Sequence, residues 1–141
     1  MSEEIVTAEE LAALVDGKSD TELAQTLVTN GLDTSLDRIF DGMQDAFLPE
    51  KAAGKKAVVQ WDVDTPEGVR SYQVAVADGA CSTSRGIDSA PAVTLGLALP
   101  DFLRIITGKT NGTQAFMQGK LKIKGDLMLA QMQQTWFKLA G

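Results

Sequence analysis

Along the first third of the chain apolar residues recur three or four positions apart, and from Val59 onward they alternate with polar ones. The first spacing lines one face of a helix and the second one face of a strand, so helices should precede a sheet. Leu11, Leu14 and Val15 mark a first short helix, and Leu23, Leu27 and Val28 a second. Thr7-Ala8-Glu9-Glu10 and Ser19-Asp20-Thr21-Glu22 each begin with a hydroxyl and return a carboxylate three residues later, the pattern of a capping box. Asp16-Gly17-Lys18 turns the chain between them, and Asn30-Gly31 stops the second. A hairpin this short cannot hold itself together in water and must lie on something. Leu36, Ile39, Phe40, Met43 and Phe47 predict a third helix, capped by Asp33, Thr34 or Ser35 and ended by Pro49 and Gly54.

Val59, Trp61 and Val63 then alternate with Gln60 and Asp62, and Tyr72, Val74 and Val76 with Ser71, Gln73 and Ala75. Thr65-Pro66-Glu67-Gly68 should join these runs as a hairpin, and Asp78-Gly79 should lead into a third strand through Cys81 and Thr83. A fourth strand is expected over Val93, Leu95, Leu97 and Leu99, and a helix from Pro100 with Phe102, Leu103, Ile105 and Ile106 on its apolar side, ended by Gly108. A short helix holds Ala115, Phe116 and Met117, and Lys120-Leu121-Lys122-Ile123-Lys124 reads as the last strand. Gly125-Asp126 opens a final helix carrying Leu127, Met128, Leu129, Met132, Trp136 and Phe137. The fold class is α+β: a mostly antiparallel five-stranded sheet with helices on one face. At 141 residues the chain has the size of one domain.

Composition then removes most chemistry. There is no histidine, hence no imidazole base or zinc ligand, and Cys81 is the sole cysteine, so it has no disulfide partner within the chain. The net charge of -6 gives no overall pull toward nucleic acid. The start Met1-Ser2-Glu3-Glu4 has the wrong sign for a secretory signal, and the uncharged run from Ser89 to Pro100 is only twelve residues. A bilayer needs about 20. The expected location is cytoplasmic.

Fragments of known motifs fail on inspection. Gly108-Lys109-Thr110 ends like a phosphate loop, but Leu103 stands where that loop needs its first glycine. Asn111-Gly112-Thr113 matches a glycosylation acceptor yet reads better as a turn. Cys81 has no histidine or nearby lysine to make a thiolate and reads as a strand residue. Asp62 and Asp64 share a strand face with polar neighbours, and Asp78 sits in a turn, so neither arrangement suits acid–base work.

What remains is soft apolar surface. Met117, Met128 and Met132 occur near Phe116, Trp136 and Phe137, a supply that suits an irregular core or a cavity for flexible hydrocarbon. The stretch Leu99-Pro100-Asp101-Phe102, through Gly108-Lys109, to Ala115-Phe116-Met117-Gln118-Gly119-Lys120-Leu121-Lys122-Ile123-Lys124-Gly125-Asp126 resembles the sterol carrier protein type 2 family in order and spacing. The resemblance covers roughly residues 34 to 139, dividing the chain into a helical hairpin extension (1–32) and a sterol-carrier-type lipid-binding domain (33–141). It implies an apolar tunnel within the α+β fold and a non-catalytic carrier of fatty acid, fatty acyl-CoA, sterol or phospholipid, without cofactor or metal. At the matching positions it implies Phe102, Leu103, Ile106, Phe116, Met117, Leu129, Met132 and Trp136 as tunnel residues. Thr94, Gln118 and Gln133 are candidates for fixing a polar headgroup.

Lys120, Lys122 and Lys124 alternate along one strand and should share a face. They either guard a sheet edge against pairing or meet anionic headgroups during transient membrane contact. Two other readings stand beside the carrier. One is an acid–base isomerase on a cone-shaped α+β fold, which needs a buried acid among apolar residues. The other is an interaction module in which the hairpin stripes make a homodimer.

Overall fold

The computed structural model describes residues 13, 15–86, 91–107, 109, 110, 112–133, 136 and 137, without the side chains of Asp45 and Gln133. The first capping box Thr7-Ala8-Glu9-Glu10, Leu11, Leu14, Gly108, Asn111 and the Gln133 side chain lie outside these residues.

Helix α1 (Asp20–Thr29) starts where the sequence places it. Ser19 Oγ accepts from the Glu22 N–H, and Glu22 Oε1 accepts from the Ser19 N–H, which satisfies two donors left free at a helix start. Helix α2 (Leu32–Ala46) starts before the predicted Asp33, Thr34 or Ser35 cap. Gly31, at φ 90°, turns the chain so that Leu32 is already helical and buried, and no side chain caps the end. Phe47 does not continue the apolar stripe, because the chain becomes extended there and bridges Phe137.

Strands β1 (Ala57–Thr65), β2 (Gly68–Ala77) and β3 (Ala80–Arg85) form the expected antiparallel meander. Asp78 and Gly79 both have positive φ, 53° and 74°, as the preferred two-residue hairpin turn requires. Strand β4 (Val93–Ala98) then pairs with β1 in parallel, and β5 (Leu121–Gly125) pairs antiparallel with β4. The order is β3-β2-β1-β4-β5, a mixed sheet with three antiparallel junctions and one parallel.

Helix α3 (Leu99–Ile106) follows β4 directly and takes Leu99, which the alternation had assigned to the strand. Pro100 in its first turn has no N–H to lose there. Helices α4 (Gly112–Met117) and α5 (Leu127–Gln133) flank β5. Asp126 Oδ1 accepts from the Leu129 N–H at the start of α5. Trp136 and Phe137 lie past α5 instead of on it, with the Trp136 carbonyl accepting from the Leu48 N–H at 2.6 Å.

The helices cover one face of the sheet. That face carries Trp61, Val63, Tyr72, Val74, Leu95 and Leu97, all buried, while the other carries Asp62, Asp64, Gln73, Thr94 and Lys122, half-buried or exposed. Phe40 of α2 stacks on Tyr72 at 4.1 Å between ring centres and on Phe102 at 5.2 Å, and Phe102 meets Trp61 edge-on at 5.3 Å. A smaller core gathers Ala52, Val76 and Trp136. Leu23 and Leu27 of α1 are completely buried in the main core with Leu36, Phe102 and Leu103. Arg104 fastens the same helix, pairing with Asp20 at 2.5 Å and donating to the Lys18 carbonyl at 3.2 Å. The α1 stripe is therefore covered by its own chain and is not free to form a dimer. Leu27→Ala should cost roughly 2–5 kcal/mol in urea unfolding. A cost well under 1 kcal/mol would show that α1 adds nothing to the core.

Candidate functional site

The helix-covered face is not sealed next to β5. A cavity of about 60 Å³ lies there. Trp61, Leu95, Leu121 and Ile123 form its floor, side by side across β1, β4 and β5. Ile105 of α3 and Gly112, Thr113 and Phe116 of α4 form one wall, and Leu127, Ala130 and Gln131 of α5 the other. Gly112 and Ala130 are the small residues of the two walls. None of the lining residues is titratable.

The space is far smaller than a tunnel. It has room for about two waters, at ~30 Å³ each, whereas pockets for small organic ligands occupy about 300–1,000 Å³. Of the residues expected to line a tunnel, Phe116 is on the cavity wall. Phe102 and Leu103 are completely buried in the main core, and Ile106 packs against that core. Leu129 borders both cores, and Met132 packs on the smaller one with Trp136. Met117 points outward, 81% exposed. Trp136 is completely buried, and its indole N–H finds no acceptor among the described residues. Trp136 lies outside α5 (Leu127–Gln133) and shares the smaller core with Met132. The floor residues Trp61, Leu95 and Ile123 were visible only as strand alternation, which does not tell a cavity floor from a core. The small residues Gly112 and Ala130 were the available signal.

The lysines divide. Lys122 and Lys124 stand on the outer face of β5, beside Gly96 and Thr94, whereas Lys120 precedes the strand in the turn after α4. Lys120 lies near Asp101, whose carboxyl burial pushes above its ordinary value; Lys120 and Arg104 oppose that rise and Asp20 adds to it. Asp101 is not among the cavity residues, so it does not supply the isomerase reading with its acid. Asp62 accepts from Gln60 at 2.9 Å and Ser71 at 2.8 Å on the outer face, and Asp64 and Asp78 are exposed. Burial pushes the Cys81 thiol up to about 11, away from thiolate chemistry.

A second groove, of about 230 Å³, runs between α2 and β3 and is polar. Asp41 lines it, and Asp37, Tyr72 and Arg85 are engaged with one another there. Tyr72 donates to Asp37 at 2.6 Å, and Arg85 meets the same carboxylate with two nitrogens. Arg85 holds the Asp37 carboxyl below its ordinary value of 3.8, against the effect of burial and with help from Tyr72. Burial, and then Asp37, raise the Tyr72 phenol above its own.

Together these features define an α+β domain whose mixed sheet is covered on one face and opens there into a small apolar cavity. The chain belongs to the SCP-2 sterol transfer family, whose sequence profile matches residues 36–138. It is 31% identical over 97 residues to hydroxysteroid dehydrogenase-like protein 2 of Mus musculus, covering 68% of this chain and 20% of that protein. The chain thus spans about a fifth of that relative's length. It is 30% identical over 103 residues to the oleate-induced peroxisomal protein POX18 of Candida maltosa, covering 71% of this chain and 81% of that one. The solution structure of palmitated SCP2L2 from Aedes aegypti superposes with a TM-score of 0.57 at 27% identity, over 71% of this chain and 87% of that one.

Because the Asp37 carboxyl is held below 3.8, the stability it contributes is present above that value and lost as pH falls through its lowered one. Asp37→Asn should therefore unfold at lower urea than the parent at neutral pH, with the gap closing in strong acid. A gap of constant size at every pH would show that the charge contributes nothing.

Proposed function

We propose that the chain is a non-catalytic lipid carrier that takes a long apolar ligand between α4, β5 and α5. The observation that carries this reading is the cavity itself: apolar walls, no titratable group among the described lining residues, and closure by Phe116 of α4 and Leu127 of α5, both only partly buried. Walls so incompletely packed can be displaced at small cost. The ligand classes are those of the family resemblance, fatty acid, fatty acyl-CoA, sterol or phospholipid. The palmitated Aedes relative favours an acyl chain among them. Hiding about 400–500 Å² of hydrocarbon gives roughly 10–12 kcal/mol at 25 cal/mol/Å². Ordering and association offset several kcal/mol of that, leaving binding from micromolar to nanomolar within reach.

In this reading Phe116 is the first wall the ligand meets. Displacement of α5 would bring in Leu129, Met132 and Trp136, and a longer ligand would press on Phe102, Leu103 and Ile106 beneath α3. Thr113 and Gln131 are the polar groups nearest a headgroup. Residues 33–141 form the carrier domain, and residues 1–32 an extension docked on it through Leu23, Leu27 and Arg104. We place the carrier in the cytoplasm, whereas the Candida relative is named as peroxisomal. No helix of the described residues is long and apolar enough to cross a membrane.

Trp61 lies on the cavity floor and Trp136 in the smaller core, so the two indoles should report differently. Titrating delipidated protein with palmitate should change tryptophan fluorescence saturably. The change should persist in Trp136→Phe and largely vanish in Trp61→Phe. Flat titrations of the parent with acyl and sterol ligands alike would sink the carrier reading.

A further inference from the structure

Four large apolar side chains around the cavity are exposed instead of buried. Phe116 and Leu127 line the cavity and are 43% and 50% exposed; Met117 and Met128, next to them in α4 and α5, are 81% and 74% exposed. An isolated exposed apolar residue needs no explanation, but four on the two helices that flank one opening mark an interaction site.

The stretch of chain that carries this rim has a charge balance opposite to that of the whole sequence. From residue 102 to the end the chain carries six lysines and arginines and one acid, Asp126. The preceding 101 residues carry seven against eighteen acids. Between residues 102 and 125 there are five cations and no acid; Arg104 and Lys109 pair with Asp20 and Asp16, and the other three are Lys120, Lys122 and Lys124. Lys120 stands in the turn that leaves α4, and Lys122 and Lys124 on the adjoining edge strand, all exposed. Lysines on one side of an edge and methionine, leucine and phenylalanine on the other match the layering of a bilayer surface, anionic headgroups above acyl chains. A soluble protein partner would explain the apolar residues without the concentration of cations. The strongly acidic remainder of the chain would be repelled by the same surface, which fixes the orientation of approach.

We propose that the rim formed by Phe116, Met117, Leu127 and Met128 docks the protein on an anionic bilayer, with Lys120, Lys122 and Lys124 on the headgroups. This rests on the carrier reading, because docking in that orientation holds the cavity mouth against the lipid it would load. Docking itself needs no ligand in the cavity, so the two ideas can fail separately.

Sedimentation with vesicles of phosphatidylcholine alone, and of equal parts phosphatidylcholine and phosphatidylserine, tests it. The parent should bind the mixed vesicles more tightly, and less so as salt rises. Met128→Glu should weaken that binding about tenfold or more, while its palmitate titration stays that of the parent. Changing Lys120, Lys122 and Lys124 together to glutamine should cost about tenfold or more on the mixed vesicles and remove most of the salt dependence. Val69→Glu, which alters an exposed apolar residue on β2, is the control and should bind like the parent. The proposal is overturned by a parent that sediments with neither vesicle, or by a Met128→Glu variant that binds as the parent does. An equal loss in Val69→Glu overturns it too. So does a parent dimer in light scattering that Met128→Glu dissolves, since the rim would then face a second copy. A flat palmitate titration beside the expected vesicle pattern supports docking and removes the carrier reading alone.

Discussion

The contact on which the remaining geometry depends is the aromatic group at the centre of the main core. Phe40 lies against Tyr72 with ring planes 8° apart, and against Phe102 with planes 19° apart, while Trp61 closes on Phe102 at 66°. The four rings come from α2, β2, α3 and β1, so one cluster fixes two helices on two central strands. Such ring pairs add about 0.5–1.5 kcal/mol each beyond the area they bury. Position matters as much as energy here. Asp37 sits nearly one turn before Phe40 on α2, where it receives the Tyr72 hydroxyl and the Arg85 guanidinium. Stack and ion pair together set both the depth and the rotation of α2 over β2 and β3. Gln44, two turns further on, accepts from the Thr83 N–H at 2.6 Å and so occupies a donor of edge strand β3.

Trp61 connects this rigid half to a softer one. It touches Phe102 in the stack and also forms part of the cavity floor. Beyond it the helices shorten, and two small residues, Gly112 and Ala130, stand where larger ones would have filled the space. An apolar void reduces stability, because the atoms around it lack contacts. The fold tolerates this one at its margin, away from the aromatic stack. Gly125 serves the same margin. A side chain there would approach the Ala92 carbonyl to 2.5 Å, and φ is 103°, so only glycine lets β5 lie close to β4 and then turn into α5.

The middle of the chain was legible because alternation and turn chemistry agree: Asp78-Gly79 could hardly be anything other than a hairpin, and β1, β2 and β3 follow from it. The parallel pairing of β4 with β1 was not legible, since residues 34 positions apart leave no local sign of which strands become neighbours. The end of α2 shows why periodicity misplaces a helix end. Phe47 follows Met43 by four residues and so continues a helical stripe that the backbone abandons. It becomes extended there and meets Phe137 in a bridge, a tertiary contact that periodicity does not record. The site was only partly legible for a related reason. Family resemblance pointed to the end of the chain that also lines the cavity, yet it favoured large apolar residues, several of which are committed to the core. The cavity is made by small residues and by strand residues that look like any other buried alternation.

The two helices at the cavity are not equivalent as gates. Helix α5 belongs to both cores: Ala130 is buried in the main one, Leu129 borders both, and Met132 packs on the smaller one. The chain beyond it is tied down by the Leu48 N–H on the Trp136 carbonyl and by Trp136 itself, whose buried indole N–H, unpaired among the described residues, would gain a partner only if the packing around it opened. Displacing α5 therefore disturbs two hydrophobic clusters. In α4 only Gly112 and Ala115 are buried; Phe116 is partly exposed and Met117 lies largely in solvent. Lifting α4 gives up the burial of one alanine and part of one phenylalanine, a loss of about 1–2 kcal/mol against the hydrocarbon a ligand would bring in. The cheaper opening is on the side where the exposed methionine of α4 and Lys120 stand together. The less tightly packed wall of the cavity and the exposed apolar residues of α4 thus fall on the same edge of the molecule.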